Sequence, residues 1–273
     1  MDIQIKLSNG QALNGIIKSP GENIRAGIIL VHGLGEHIRR YSHWAGKFNS
    51  IGCVFTGVDL PGHGKSDGKR GVLNSYKLTD EMITMQISEF RKTFPGIPVF
   101  LYGHSMGGTI ALHYILKNNP SIKGAIITSP WLHLSFQPSK AKLTLIKIMK
   151  RLLPSLVQPS GLIVDHVSHD PAVVDSYKKD PLNHGKISVG LARSTFSAAD
   201  YCLANASELK LPLLLVHGSD DQITSPDGSR EFASKTKLAE LRIWEGGYHE
   251  LHNEPFRDDV FDFISGWIDS VLK

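Results

Sequence analysis

The chain has 273 residues, of which 41% are hydrophobic, enough to bury a full core in the manner of an ordinary globular enzyme. A formal net charge of +4 is too small to suggest nucleic acid, no internal repeat or low-complexity tract stands out, and no apolar run reaches the 18 residues of a membrane span. The charge is uneven, however: no Asp or Glu occurs from Phe90 to Val164, while Arg91, Lys92, Lys117, Lys123, Lys140, Lys142, Lys147, Lys150 and Arg151 fall in that interval.

In chain order, Met1-Asp2-Ile3-Gln4-Ile5-Lys6-Leu7 alternates like a first strand rather than a signal peptide, which sets the expectation of a cytoplasmic protein. Further strands are predicted over Gly27–Val31, Val54–Val58, Val99–Tyr102, Gly124–Thr128, Leu213–His217 and Leu241–Trp244. Helical apolar spacing covers Glu81–Thr93, Thr109–Lys117 and Phe256–Leu272. The alternation predicts an α/β fold with a mostly parallel sheet and helices on both faces. It breaks from Trp131 to about Lys210, so residues 1–130 and 211–273 read as the core and 131–210 as an inserted cap over the carboxyl ends of the strands, where sites in open α/β sheets lie. Cys53 and Cys202 are distant in sequence and lack C-x-x-C spacing, so neither a metal knuckle nor a redox pair is suggested; Cys53, before a core strand, reads as inert packing and Cys202 as cap structure.

The chemistry starts at Gly103-His104-Ser105-Met106-Gly107, a G-x-S-x-G nucleophile elbow between a predicted strand and a predicted helix. A serine hydroxyl is a poor nucleophile at neutral pH and needs a base and a group that orients the base. In this architecture the partners follow in the order Ser, acid, His. Gly218-Ser219-Asp220-Asp221 follows one strand and supplies an acid, and Gly246-Gly247-Tyr248-His249 follows the next and supplies the base. The oxyanion needs two preorganised donors: the N–H of Met106 after the nucleophile, and one from His32-Gly33-Leu34-Gly35, with Leu34 as the candidate. Competing motifs fail on spacing. Ile38 replaces the third glycine of G-x-G-x-x-G, Asp59 stands where a phosphate loop ending Gly64-Lys65-Ser66 needs its first glycine, and His249-Glu250-Leu251-His252 is one residue short of H-E-x-x-H.

His32-Gly33-Leu34-Gly35-Glu36-His37, Arg40-Tyr41, Asp59-Leu60-Pro61-Gly62-His63-Gly64-Lys65-Ser66-Asp67-Gly68, the elbow, Gly218-Ser219-Asp220-Asp221 and Tyr248-His249-Glu250-Leu251-His252 together resemble the monoacylglycerol lipase and lysophospholipase-like branch of the α/β-hydrolases. The resemblance runs over nearly the whole chain, weakly through the cap. It implies an α/β-hydrolase fold with an eight-stranded sheet and a variable cap, no cofactor or metal, and hydrolysis of monoacylglycerols or related single-chain lipid esters. It selects Asp221 over Asp220, giving Ser105, Asp221 and His249 as the triad. It also implies that Glu36, Arg40 and His252 lie near the polar, leaving-group end of the pocket. A lysophospholipase, a short-chain carboxylesterase or a proline-type aminopeptidase would use the same elbow, and a non-catalytic hydrolase-fold binding protein is the alternative of a different class. The segment 140–153 mixes bulky apolar and basic residues and sets the expectation of transient, peripheral contact with a membrane surface.

Overall fold

A computed structural model describes residues 1–73, 75–136 and 153–273. Eight strands form one sheet: β1 (Asp2–Lys6), β2 (Ala12–Lys18), β3 (Ala26–Val31), β4 (Cys53–Val58), β5 (Val99–His104), β6 (Gly124–Thr128), β9 (Leu213–Gly218) and β10 (Ala239–Trp244). Their order is β1-β2-β4-β3-β5-β6-β9-β10; β2 runs antiparallel to both its neighbours and all other pairings are parallel. This is the α/β-hydrolase fold. β7 (Val157–Pro159) and β8 (Lys186–Ser188) pair separately.

Alternation along the central strands sorts their side chains into two cores. Ile29, Val31, Leu101, Leu213 and Leu215 face one layer; Ile28, Leu30, Phe100, Tyr102, Leu214 and Val216 face the other. The first layer is closed by α2 (Lys77–Thr93), α3 (Met106–Asn118), α5 (Val189–Ala204) and Phe232 of α6 (Pro226–Ser234). The second is closed by α1 (Ser42–Ser50) and α7 (Arg257–Leu272), where Trp44, Phe48 and Phe261 meet edge to face. Both faces of β3, β5 and β9 are therefore covered, which explains their unbroken apolar sequences.

Between β6 and β9 the chain leaves the sheet and returns. α4 (Pro171–Lys179) begins with Asp170 accepting the Ala172 N–H (2.9 Å), and α5 with Ser188 accepting the Leu191 N–H (3.1 Å), both side-chain caps of otherwise unpaired donors. α5 falls inside the range 131–210 read from sequence as a cap, yet Leu191, Ala192, Ala198, Ala199, Cys202 and Leu203 are buried in the core layer beside α3. The part that stands outside the sheet layers ends near Ser188. The basic segment 140–153 lies outside the described residues except for Leu153. No described helix is long and apolar enough to cross a membrane.

Candidate active site

The parallel strands end along one edge of the sheet, and their following loops converge there. β5 turns directly into α3 at Ser105, whose backbone sits at φ 56° and ψ −124°. That conformation is strained for a residue with a Cβ and exposes the hydroxyl at the mouth of the turn. The turn closes because its flanking residues lack side chains. A Cβ at Gly103 would lie 2.8 Å from the Gly107 carbonyl oxygen, and one at Gly107 would collide with the backbone carbonyls of Val31 and His32.

The hydroxyl meets the loops after β9 and β10. Ser105 Oγ lies 2.9 Å from His249 Nε2, and His249 Nδ1 lies 2.7 Å from Asp221 Oδ2. A carboxylate only accepts, so Nδ1 carries the imidazole proton and Nε2 is left bare to accept the serine O–H. Asp221 is itself immobilised: Oδ1 accepts the N–H groups of Ile223 (2.8 Å) and Thr224 (3.0 Å), and Oδ2 accepts the Thr224 hydroxyl (2.9 Å). Burial acts to raise the Asp221 pKa, but His249 and His217 override it and hold the carboxyl well below the usual carboxylate range. Burial likewise disfavours a charged His249, yet the Asp221 carboxylate outweighs this and raises the imidazole pKa above its ordinary value. The ring of His104 lies 4.8 Å from that of His249; burial first, and His249 second, push its pKa well down, so no second cation opposes protonation of His249.

The loop after β3 lies against the nucleophile: a Cβ at Gly33 would stand 3.1 Å from Ser105 Cβ. The loop is pinned from behind. His32 Nε2 accepts the Leu60 N–H (2.8 Å), so its Nδ1 carries the proton and donates to the Gly33 carbonyl (2.9 Å). Glu36 accepts the Gly33 N–H (2.6 Å) and the Tyr41 O–H (2.8 Å) on Oε1 and Arg40 on Oε2 (2.7 Å). The Leu34 and Met106 N–H groups find no acceptor among the described residues; Met106 is the first residue of α3, where helix donors are unpaired.

Ser105 opens into a cleft that leads from the ends of the strands toward solvent. Leu34, Trp131, Leu134, Leu162, Val167 and Ile223 give it apolar walls, with Glu36 and Glu250 near the serine. The three residues expected at its polar end are neighbours placed differently. Glu36 lines the cleft, whereas Arg40 and His252 do not. Arg40 sits behind, bound to Glu36 and, through both terminal nitrogens, to Glu250 at 2.7 Å, with its guanidinium 4.4 Å from the Tyr177 ring centre. Burial opposes ionisation of Glu250, but Arg40 dominates and holds its pKa at about 2. His252 is stacked on Tyr41 (4.6 Å) and fully buried, and burial followed by His104 pushes its pKa well down.

Several contributors had no sequence signal. His217 at the end of β9 reaches Asp221 Oδ2 at 3.2 Å and the Thr224 carbonyl at 3.0 Å through Nε2, while Nδ1 accepts the Ser229 hydroxyl at 2.8 Å. Ser129, after β6 at φ 46°, donates its hydroxyl to the His249 carbonyl (2.8 Å). Only the strand-end position of His217 could have drawn attention to it; a lone serine after Thr128 carries nothing to distinguish it.

The serine aminopeptidase, S33 family matches residues 22–256. The monoacylglycerol lipase of Mycolicibacterium smegmatis is 32% identical over 257 residues, covering 93% of this chain and 91% of that protein. An uncharacterized abhydrolase domain-containing protein of Dictyostelium discoideum is 37% identical over 255 residues; the match covers 91% of this chain but only 27% of that protein's length. Among solved structures, the monoacylglycerol lipase of Paleococcus ferrophilus superposes with a TM-score of 0.86 at 32% identity, covering 95% of this chain and 99% of that one. With the elbow, the strand-end histidine and acid, and this fold, the chain belongs to the serine aminopeptidase, S33 family of the α/β-hydrolase superfamily, alongside these monoacylglycerol lipases.

Proposed function

We propose that the protein is a serine ester hydrolase that cleaves monoacylglycerols to fatty acid and glycerol through an acyl-enzyme. The observation that carries this reading is the continuous relay from Ser105 Oγ through His249 to Asp221, opening into a cleft with apolar walls. His249 Nε2 takes the Ser105 proton as Oγ attacks the ester carbonyl carbon, and Asp221 stabilises the imidazolium that forms. The Leu34 and Met106 N–H groups receive the negative charge that develops on the carbonyl oxygen. The C–O bond to the alcohol breaks as His249 returns the proton to the leaving oxygen. A water deprotonated by the same imidazole then releases the fatty acid.

The apolar walls accept an acyl chain, and Glu36, held by Arg40, marks the polar end where the glycerol leaves; His252 supports that end by packing behind His104 and Tyr41. The described residues 131–136 and 153–188 serve as the cap over this cleft, and α5 returns the chain to the core. Phe136, Leu153, Leu156 and Ile163 of the cap are exposed and support a peripheral lipid contact in which segment 140–153 takes part. An aminopeptidase is disfavoured because such an enzyme needs acid groups for the substrate amine, and both carboxylates lining the cleft are already paired with Arg40.

Fatty-acid release from mono-oleoylglycerol, lysophosphatidylcholine and a p-nitrophenyl ester series, with Ser105→Ala as the blank, tests the reading. Preferential turnover of mono-oleoylglycerol is expected. Turnover confined to short p-nitrophenyl esters overturns the substrate assignment while keeping the triad, and inactivity on all three overturns the enzyme reading. Glu36→Gln should reduce the preference for glycerol over methyl esters; an unchanged preference removes Glu36 from substrate recognition.

A further inference from the structure

The loop that carries His249 is held by the cap segment 167–169. Glu254 is fully buried, and among the described residues no lysine or arginine reaches its carboxylate. A buried carboxylate without a strong partner is costly, so its actual contacts indicate what retains it. Oε1 accepts the N–H of Tyr248, the residue before His249, at 3.0 Å. The remaining acceptor capacity is used by one residue of the segment beyond β7: His169 donates Nδ1–H to the two oxygens at 3.1 and 3.2 Å and its backbone N–H to Oε2 at 3.4 Å. The His169 ring also lies on the Tyr248 ring, with centres 3.6 Å apart and planes 28° from parallel.

The contacts on either side follow the same pattern. The Glu250 N–H, immediately after His249, donates to the Val167 carbonyl (2.8 Å), and the Ser168 hydroxyl donates to the Asn253 carbonyl (3.0 Å). Val167 lines the substrate cleft. Residues 167–169 and 248–254 are thus joined residue against residue, with the wall of the cleft on one strand of the seam and His249 on the other.

We propose that Glu254 and His169 are positioning residues that latch the cleft wall to the loop of His249, so that the cap segment must be seated for the imidazole to reach Ser105. The proposal rests on His249 acting as the base. Neither latch residue touches substrate; both act through the Tyr248-His249 backbone. His169 is partly exposed, so its replacement spares the core.

The test uses the full-length protein, with p-nitrophenyl butyrate and mono-oleoylglycerol as substrates, rates normalised to active sites titrated with a fluorophosphonate, and thermal unfolding recorded alongside. His169→Ala should lower kcat per titrated site about tenfold on both substrates, because the loop of His249 is less firmly held, and should also lower Tm by several degrees, because the buried Glu254 loses its side-chain donor. His169→Asn, which keeps an N–H donor near the Nδ1 position, should recover most of it. Glu254→Gln should lower kcat, and adding His169→Ala to it should cost nothing further. Wild-type kcat in His169→Ala, no recovery in His169→Asn, or losses that multiply in the double variant would each overturn the latch. Turnover retained by His249→Ala would instead overturn the base assignment beneath it, so the two failures are told apart.

Discussion

Two clusters of ionisable side chains lie within a few residues of each other and behave oppositely. In Ser105, His249 and Asp221, one proton has a path: Nε2 is bare, the serine O–H points to it, and every other polar atom of the acid is occupied. In Glu36, Arg40 and Glu250, two carboxylates share one guanidinium and no group is left without its partner. The same residue types thus give a proton relay where an acceptor is left open and a rigid brace where none is. The brace serves the relay, since Glu36 fixes the loop of Leu34 and Glu250 follows His249 directly.

Changes to the relay should remove activity and spare the fold, whereas loss of the brace's guanidinium should show first as lost stability. Ser105→Ala should lower kcat about 10⁶-fold at an unchanged Tm, measured on mono-oleoylglycerol with thermal unfolding as the control. Asp221→Asn should lower kcat about 10⁴-fold by losing the tautomer that leaves Nε2 bare. Arg40→Met leaves Glu36 and Glu250 buried and unpaired, which should cost about 3–5 kcal/mol of stability, read as a fall in Tm of about 10 °C. If Arg40→Met were as stable as the parent, the brace would be no brace.

The pH profile sharpens the same contrast at smaller amplitude. His249 must be neutral to accept the serine proton, and its pKa is raised, so kcat/KM should fall as pH drops through a midpoint above 6.5. Asp221→Asn removes the charge that raises it and should move that midpoint down. A midpoint below 6.5 in the parent would mean that burial, not Asp221, governs His249.

The site was legible because its chemistry sits at strand ends. The apolar runs before Ser105, Asp221 and His249 announce the strands, and the parallel fold brings their carboxyl ends together without further information. What escaped was structure whose sequence signal points elsewhere. β2 carries Gly15 in place of an apolar side chain, and a Cβ there would lie 2.7 Å from Val58 Cγ1; the glycine lets β2 approach β4. α1 and α6 are only nine residues each and carry Gly46 and Gly228, so packing secures them. α5 follows the interrupted stretch and so reads as cap, while its small apolar face fits against α3. Ser129 and Glu254 act through contacts with distant segments, at His249 and His169, which no local pattern encodes.

The central claim is that Ser105 becomes acylated in turnover. The direct measurement is to quench the protein at low pH during hydrolysis of p-nitrophenyl butyrate, digest it, and locate the acyl group by mass spectrometry. The account predicts a butyryl group on the peptide containing Ser105, present in the parent and absent from Ser105→Ala. Turnover with the acyl group on another residue, or undiminished turnover in Ser105→Ala, would contradict it.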